Sequence, residues 1–210
     1  MEIHAPDHPI TTWKQTFKHL AIITTGVLIA LALEGAVAWL DHRLLVREAV
    51  ANLTAELRNN KKELDGLFDG LAKERQQLEH ADEIARVLLA HESLERFELV
   101  LDWHGAELTS AALTTAQVTG AFGFMDYAEV SRYAYLYDLQ AQYMRLGERG
   151  REHFSEVLAF VRRVAASERP SDDEVRQWRS NIDVTLADIV VREQVGRQLQ
   201  HRYEEVLAVR

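Results

Sequence analysis

The densest collection of groups able to bond a ligand lies between Gly120 and Tyr143, which hold five of the chain's six tyrosines. Gln117 stands just before this segment, and Asp126 and Gln140 lie within it. A binding pocket needs an apolar wall and a few converging polar groups, and phenol rings beside amides and a carboxylate supply both. Gln117, Asp126, Tyr127, Tyr133, Tyr137 and Gln140 are therefore the candidate lining of a ligand or partner pocket. The competing use is packing, with the rings in a core and their hydroxyls at its rim.

A second candidate is a lone carboxylate. Glu34 is the one charge in the 21-residue stretch LAIITTGVLIALALEGAVAWL, Leu20 to Leu40. On a helix that stretch spans ~31 Å, the thickness of a bilayer's hydrocarbon core. An ionisable group inside such a span is costly and tends to mark a site. Gly26, Ala30, Glu34 and Ala38 recur at every fourth residue, a stripe of small residues that lets two membrane helices approach and bond across the contact. Helix–helix association is the reading this favours. A passive side chain near the interface is the plainer one, and a proton or ion pathway the third, though a single helix with one carboxylate is a poor conduit.

No common catalytic constellation accompanies these groups. None of the nine histidines has a glutamate three residues before it, as a di-iron bundle site would need. The zinc-protease, phosphate-loop, nucleophile-elbow and dinucleotide patterns are likewise missing. His4, His8 and His19 cluster near the N-terminus without metal-ligand spacing or a carboxylate partner. Catalytic, cofactor and metal residues are accordingly assigned to none. An enzyme with an unfamiliar site would draw on Asp126, His104 or a tyrosine. With no cysteine, disulfides and thiolate chemistry are excluded. A formal charge of −9 offers no face for neutralising phosphates, which argues against nucleic acid as a partner.

The elements that must position these residues are helical. Three prolines and ten glycines in 210 residues leave long uninterrupted runs. Trp13 and Trp39 lie ~39 Å apart on a helix, the separation of two headgroup belts. Lys14 and Lys18 on one side and Arg43, Arg47 and Arg58 on the other nearly balance. A short N-terminal tail inside and an acidic domain outside is the preferred orientation. The apolar core is too long and starts too late for a cleaved signal peptide.

Beyond the span, Val46, Val50, Leu53, Leu57, Asn60, Leu64, Leu67 and Leu71 keep strict four-three spacing, the seam of a helix facing another helix. Asn60 is the polar residue that fixes register or partner number in such a seam. The seam continues through Leu78, Ala81, Ala85 and Leu88, with Glu74 breaking it. It fits an intermolecular coiled coil or the first helix of an intramolecular bundle. The bundle is preferred because later amphipathic helices also need a surface to cover. Gly66 and Gly70 predict a kink.

Residues 93–105 read as an extended piece or loop, and a helix is expected from Ala106 to Thr119, ended by Gly120 and Gly123. Asp126 and Glu129 open the next helix, which is expected to stop near Gly147 or Gly150. Phe154 to Val164 mark a further one. Ser171 and Glu174 form a capping box for the last, whose apolar face runs through Val175, Trp178, Ile182, Leu186, Ile189, Leu199, Tyr203 and Val206.

The opening MEIHAPDHPITTWKQTFKHLAIITTGVLIALALEG, with its H-x-P-x-H-P-I tail, W-K pair and span ending L-E-G, resembles an uncharacterised family of bacterial single-pass membrane-anchored proteins. TTAQVTGAFGFMDYAEVSRYAYLYDLQ resembles a recurrent block in the same family. The resemblance implies topology and bacterial origin and transfers no site, but it draws attention to Glu34 and the tyrosine segment, which lie in the matching blocks.

The expected architecture is all-α, one N-terminal transmembrane helix continuing into an antiparallel helical bundle. Residues 1–19 are the tail, 20–40 the span, 41–92 a juxtamembrane helix or helix pair, and 93–210 the rest of the bundle. The expected function is a membrane-anchored, non-catalytic interaction or scaffold protein of the inner membrane, with its domain periplasmic. Its expected partners are lipid, an unknown protein, and a second copy met through the span and the juxtamembrane seam. The alternatives are an extracytoplasmic ligand-sensing domain around residues 120–143, and an enzyme with an unrecognised site.

Overall fold

The computed structural model describes residues 13–92, 99–166 and 170–208, all helix or connecting chain with no strand among them. The elements are α1 (Trp13–Leu89), α2 (Ala111–Val118), a 3-10 turn (Ala121–Phe124), α3 (Tyr127–Ala166) and α4 (Asp172–Ala208). His4 and His8 lie outside the described residues. Two compact units meet at the Glu48/Ala49 boundary, and α1 contributes residues to both.

In the first unit α1 begins at Trp13, inside the stretch read from sequence as tail, so Lys14, Lys18 and His19 are helical. Every large apolar residue from Leu20 to Leu40 is more than half exposed. Arg43 sits 5.1 Å over the Trp39 ring. One helix among the described residues is long and apolar enough to cross a membrane, and none of its apolar window is buried.

In the second unit the heptad seam is the core. Leu53, Leu57, Leu64 and Leu78 are fully buried, and Asn60 and Glu74 are buried in the same row. The partners are the chain's own helices. Between α1 and α4 the polar pairs run in opposite order, Asp65 with Gln200, Glu74 with Arg192 and Asp82 with Arg179. Between α3 and α4 they also run oppositely: Gln140 pairs with Tyr203, His153 with Asp188, and the Val157 carbonyl with Trp178. Between α1 and α3 both numbers rise together, Glu56 with Tyr137 and Asn60 with Gln140. The chain leaving the end of α1 must therefore travel back along it before α3 can start.

That return is made by residues 99–110, which carry no helix. The helix expected from Ala106 begins only at Ala111, because Asn60 of α1 takes the Thr109 N–H and carbonyl that a helix would use. One other expectation also changes. α3 passes unbroken through Gly147 and Gly150, joining two helices read as separate, while α1 stays helical through Gly66 and Gly70. Glycine costs a helix about 1 kcal/mol relative to alanine but does not by itself end it. At Gly70 and Gly150 the missing side chain makes room instead: a Cβ at Gly70 would lie 2.5 Å from the His104 ring, and one at Gly150 would lie 3.1 Å from Trp103 and 3.2 Å from Arg192.

The local stop signals elsewhere act as read. Gly120 takes a left-handed φ of 74° after α2, a conformation costly for residues with a Cβ. The Asp126 carboxylate accepts the Ala128 N–H at 2.8 Å at the start of α3. At α4, the Ser171 N–H and hydroxyl both donate to Glu174 (2.9 and 2.8 Å), and this bonding holds the exposed Glu174 carboxyl below its ordinary range.

Candidate functional site

The returning segment is a strap laid antiparallel along α1. Gln77 bonds Asp102, Glu74 bonds His104, Asn60 bonds Thr109, and Glu56 bonds Thr109 and Ala112. From Gln77 to Asn60 the helix advances ~26 Å. The seven steps from Asp102 to Thr109 reach ~23–25 Å fully extended, so the strap is close to taut.

Two clamps hold it, each gripping one residue's backbone from both sides. At the first, Asn60 accepts the Thr109 N–H (3.0 Å) and donates to the Thr109 carbonyl (2.8 Å). Gln140 donates to that carbonyl too (2.9 Å), while its own amide oxygen accepts from Asn60 and from the Tyr203 hydroxyl. Glu56 completes this group. It accepts the Tyr137 hydroxyl at 2.6 Å and the Ala112 N–H at 2.9 Å, serving the first turn of α2, where the Ser110 side chain makes no cap. Burial first, and then the bond to Glu56, pushes the Tyr137 hydroxyl far above its ordinary pKa. Burial does the same at Tyr203. Both phenols stay protonated and act as donors.

At the second clamp, Glu74 accepts the His104 N–H at 3.2 Å and Arg192 donates to the His104 carbonyl at 3.0 Å. Glu74 and Arg192 are themselves bonded and buried, at 0% and 2% exposure. Burial pushes the Glu74 carboxyl up, against the pull of Arg192. The guanidinium lies 4.1 Å from the centre of the Trp103 ring, which in turn tilts against Phe154 at 5.7 Å. A buried pair of this kind is weak evidence for stability as such, but removing either partner strands the other.

The residues singled out from sequence separate into groups. Gln117, Tyr137 and Gln140 line one cleft of about 530 Å³ with Phe122, Val130 and Met144. Asp126 caps α3 instead, Tyr127 is 85% exposed and Tyr133 is buried in the core, and none of these three lines that cleft. Asn60 meets Thr109 and Gln140 of its own chain. Gly26, Ala30, Glu34 and Ala38 are all exposed on α1 of the first unit, and no described residue bonds the Glu34 side chain. His104 takes part chiefly through its backbone, with its ring over Gly70.

The sequence reading missed Arg192, Trp103 and Thr109. A signal existed for the first. Thr185, Ile189, Arg192, Gly196, Leu199 and Tyr203 are all buried on α4 at four-three spacing, so Arg192 occupies a seam position just as Glu74 does on α1. The buried seams thus carry opposite charges, Glu74 on α1 and Arg192 on α4. Comparison of the chain with protein-family models, with curated proteins and with solved structures finds no match.

Proposed function

We propose that this chain is a membrane-anchored, non-catalytic interaction or scaffold protein whose helical domain stands beside the bilayer and which associates with a second copy through its anchor. The observation that carries the reading is the run of large apolar side chains from Leu20 to Leu40, every one more than half exposed. Each such side chain left in water forgoes about 1.5–3 kcal/mol relative to burial. Water is therefore a poor medium for the run, and lipid a good one.

Within this reading α1, α3 and α4 form a bundle in which α4 is antiparallel to the other two, an arrangement supported by the order of the polar pairs. The seam from Leu53 onward is covered by the chain's own helices. Self-association is accordingly assigned to the Gly26, Ala30, Glu34 and Ala38 face of the span rather than to the seam. The domain is placed outside the cytoplasm, across a bacterial inner membrane.

Full-length protein expressed in a bacterium should sediment with membranes and resist alkaline extraction. Recovery as a water-soluble species without detergent would overturn the anchor. C-terminal reporter fusions, one active only outside the cytoplasm and one only inside, decide the orientation.

A ligand-sensing role for the tyrosine segment is the second reading, favoured by one observation: Gln117, Tyr137 and Gln140 share a cleft. A metabolite that stabilises the wild type but not Tyr137→Ala would raise it above scaffolding.

A further inference from the structure

On the α3 side of the strap lies a separate cleft of about 390 Å³, bounded by Trp103, Glu107, Tyr143, Glu148, Arg151 and Arg192. Its walls differ in kind from its rim. Tyr143 and Arg192, on the inner wall, are 3% and 2% exposed. The Arg192 guanidinium donates to Glu74 and to the His104 carbonyl, but its Nε–H is buried without a partner among the described residues. That Nε packs against Gly150, outside the residues that line the cleft, so the unbonded donor that the cleft offers is the Tyr143 hydroxyl. The Tyr143 hydroxyl makes no hydrogen bond with any described residue, and burial lifts its pKa to about 12, so it remains a donor at neutral pH. The rim carries Glu107 and Glu148, both exposed and in no ion pair with a described residue, together with Arg151.

We propose that this cleft binds a small zwitterion of the amino-acid type, its carboxylate accepting the Tyr143 hydroxyl beside the positive charge of Arg192 and its ammonium meeting the carboxylates of the rim. A simple anion is disfavoured, because Glu74, Glu107 and Glu148 together outweigh Arg192 and Arg151 in formal charge. A simple cation is disfavoured because the innermost groups are hydrogen-bond donors, one of them a guanidinium. A molecule bearing both charges a few ångströms apart satisfies wall and rim at once, and each buried donor left unmatched costs more than a matched one contributes. The volume suits one such molecule with a modest side chain, which would rest against Met144. This site is distinct from the Gln117, Tyr137 and Gln140 cleft and does not depend on the membrane assignment.

The test is thermal unfolding of the detergent-solubilised full-length protein with each of the twenty common amino acids in turn. Any amino acid that acts is then compared with its analogue lacking the amine and its analogue lacking the carboxylate. The expected result is a concentration-dependent rise in Tm with at least one amino acid and with neither analogue. Tyr143→Phe removes a hydroxyl bonded to nothing described in the chain and should leave the ligand-free Tm unchanged while weakening the response about tenfold. The Glu107→Gln, Glu148→Gln double variant should weaken it comparably. The proposal is overturned if no amino acid raises Tm, if an analogue acts as well as its parent, or if Tyr143→Phe responds like the wild type.

Discussion

Glu34 and Glu74 lie on the same helix, each the acid that interrupts an apolar row, and their surroundings differ completely. Glu74 is fully buried, bonded to Arg192 of α4 and to the His104 backbone of the strap. Glu34 is exposed among exposed apolar residues, and no described residue answers it. A carboxylate in an apolar row needs a partner. For Glu74 the chain supplies one. For Glu34, on our reading, lipid headgroups or a second chain must. The same sequence feature thus marks an internal joint in one unit and, as we propose, an outward-facing contact in the other.

The contrast breaks most sharply at Arg192. Arg192→Ala strands a buried carboxylate and releases the His104 carbonyl, and should cost about 3–5 kcal/mol in urea unfolding of the solubilised protein. Glu74→Leu combined with Arg192→Met should recover part of that loss, since an apolar pair of similar volume strands no charge but still leaves the His104 N–H and carbonyl without these partners. Gly150→Ala pushes a methyl against Trp103 and Arg192 without removing any bond, with an expected cost of about 1–3 kcal/mol, whereas Gly147→Ala, where nothing lies within 4 Å of the added Cβ, should not destabilise.

The uncharged clamp offers a milder comparison. Asn60→Leu removes two of the bonds on the Thr109 backbone, but Gln140 keeps its bond to the Thr109 carbonyl, and Thr109 is an exposed residue that water can reach. About 1–2 kcal/mol is expected, less than for Arg192→Ala, with faster hydrogen exchange at Thr109 as the local readout. Glu34→Leu should leave urea unfolding of the second unit unchanged and act only on association, by about 1 kcal/mol, or roughly fivefold in the crosslinked fraction in membranes.

The smallest effect is on pH dependence. The Glu74 carboxyl is raised by burial, so the folded protein holds that proton more readily than the unfolded chain does. Its contribution to stability is fully present below the ordinary carboxylate range and is lost as pH rises through the raised pKa. The wild type should therefore gain on Glu74→Gln as pH falls from neutral, read as the difference between their unfolding midpoints. Glu193 has the opposite sign. Arg197 and then Arg75 lower it, so its contribution is lost on acidification, and Glu193→Gln should lag the wild type less at low pH.

How much of this could be read from the sequence depends on the range of the interactions involved. The seam from Leu53 to Ala85 follows from helical periodicity alone, and the Ser171–Glu174 box from a pattern four residues long. Glu74 stands out as a break in the seam, but its meaning rests on a residue 118 positions away. Arg192 hides because an arginine on an amphipathic helix is ordinarily counted with the polar face. The strap is less legible still. Its conformation comes from backbone bonds to Asn60, Glu74 and Gln77, and no periodicity of its own announces it. Gly150 shows the same limit: a glycine that ends a helix and one that admits a neighbouring ring look alike until the ring is placed.

The absence of cysteine opens the proposed contact between two spans to disulfide crosslinking. Single cysteines at Ala30, on the Glu34 face, and at Leu28, on the opposite side of the helix, can be introduced into the full-length chain and oxidised in native membranes. Ala30→Cys should give a disulfide-linked dimer that Glu34→Leu diminishes, and Leu28→Cys little or none. Equal crosslinking at both positions, or none at either in protein that sediments with membranes, would contradict it.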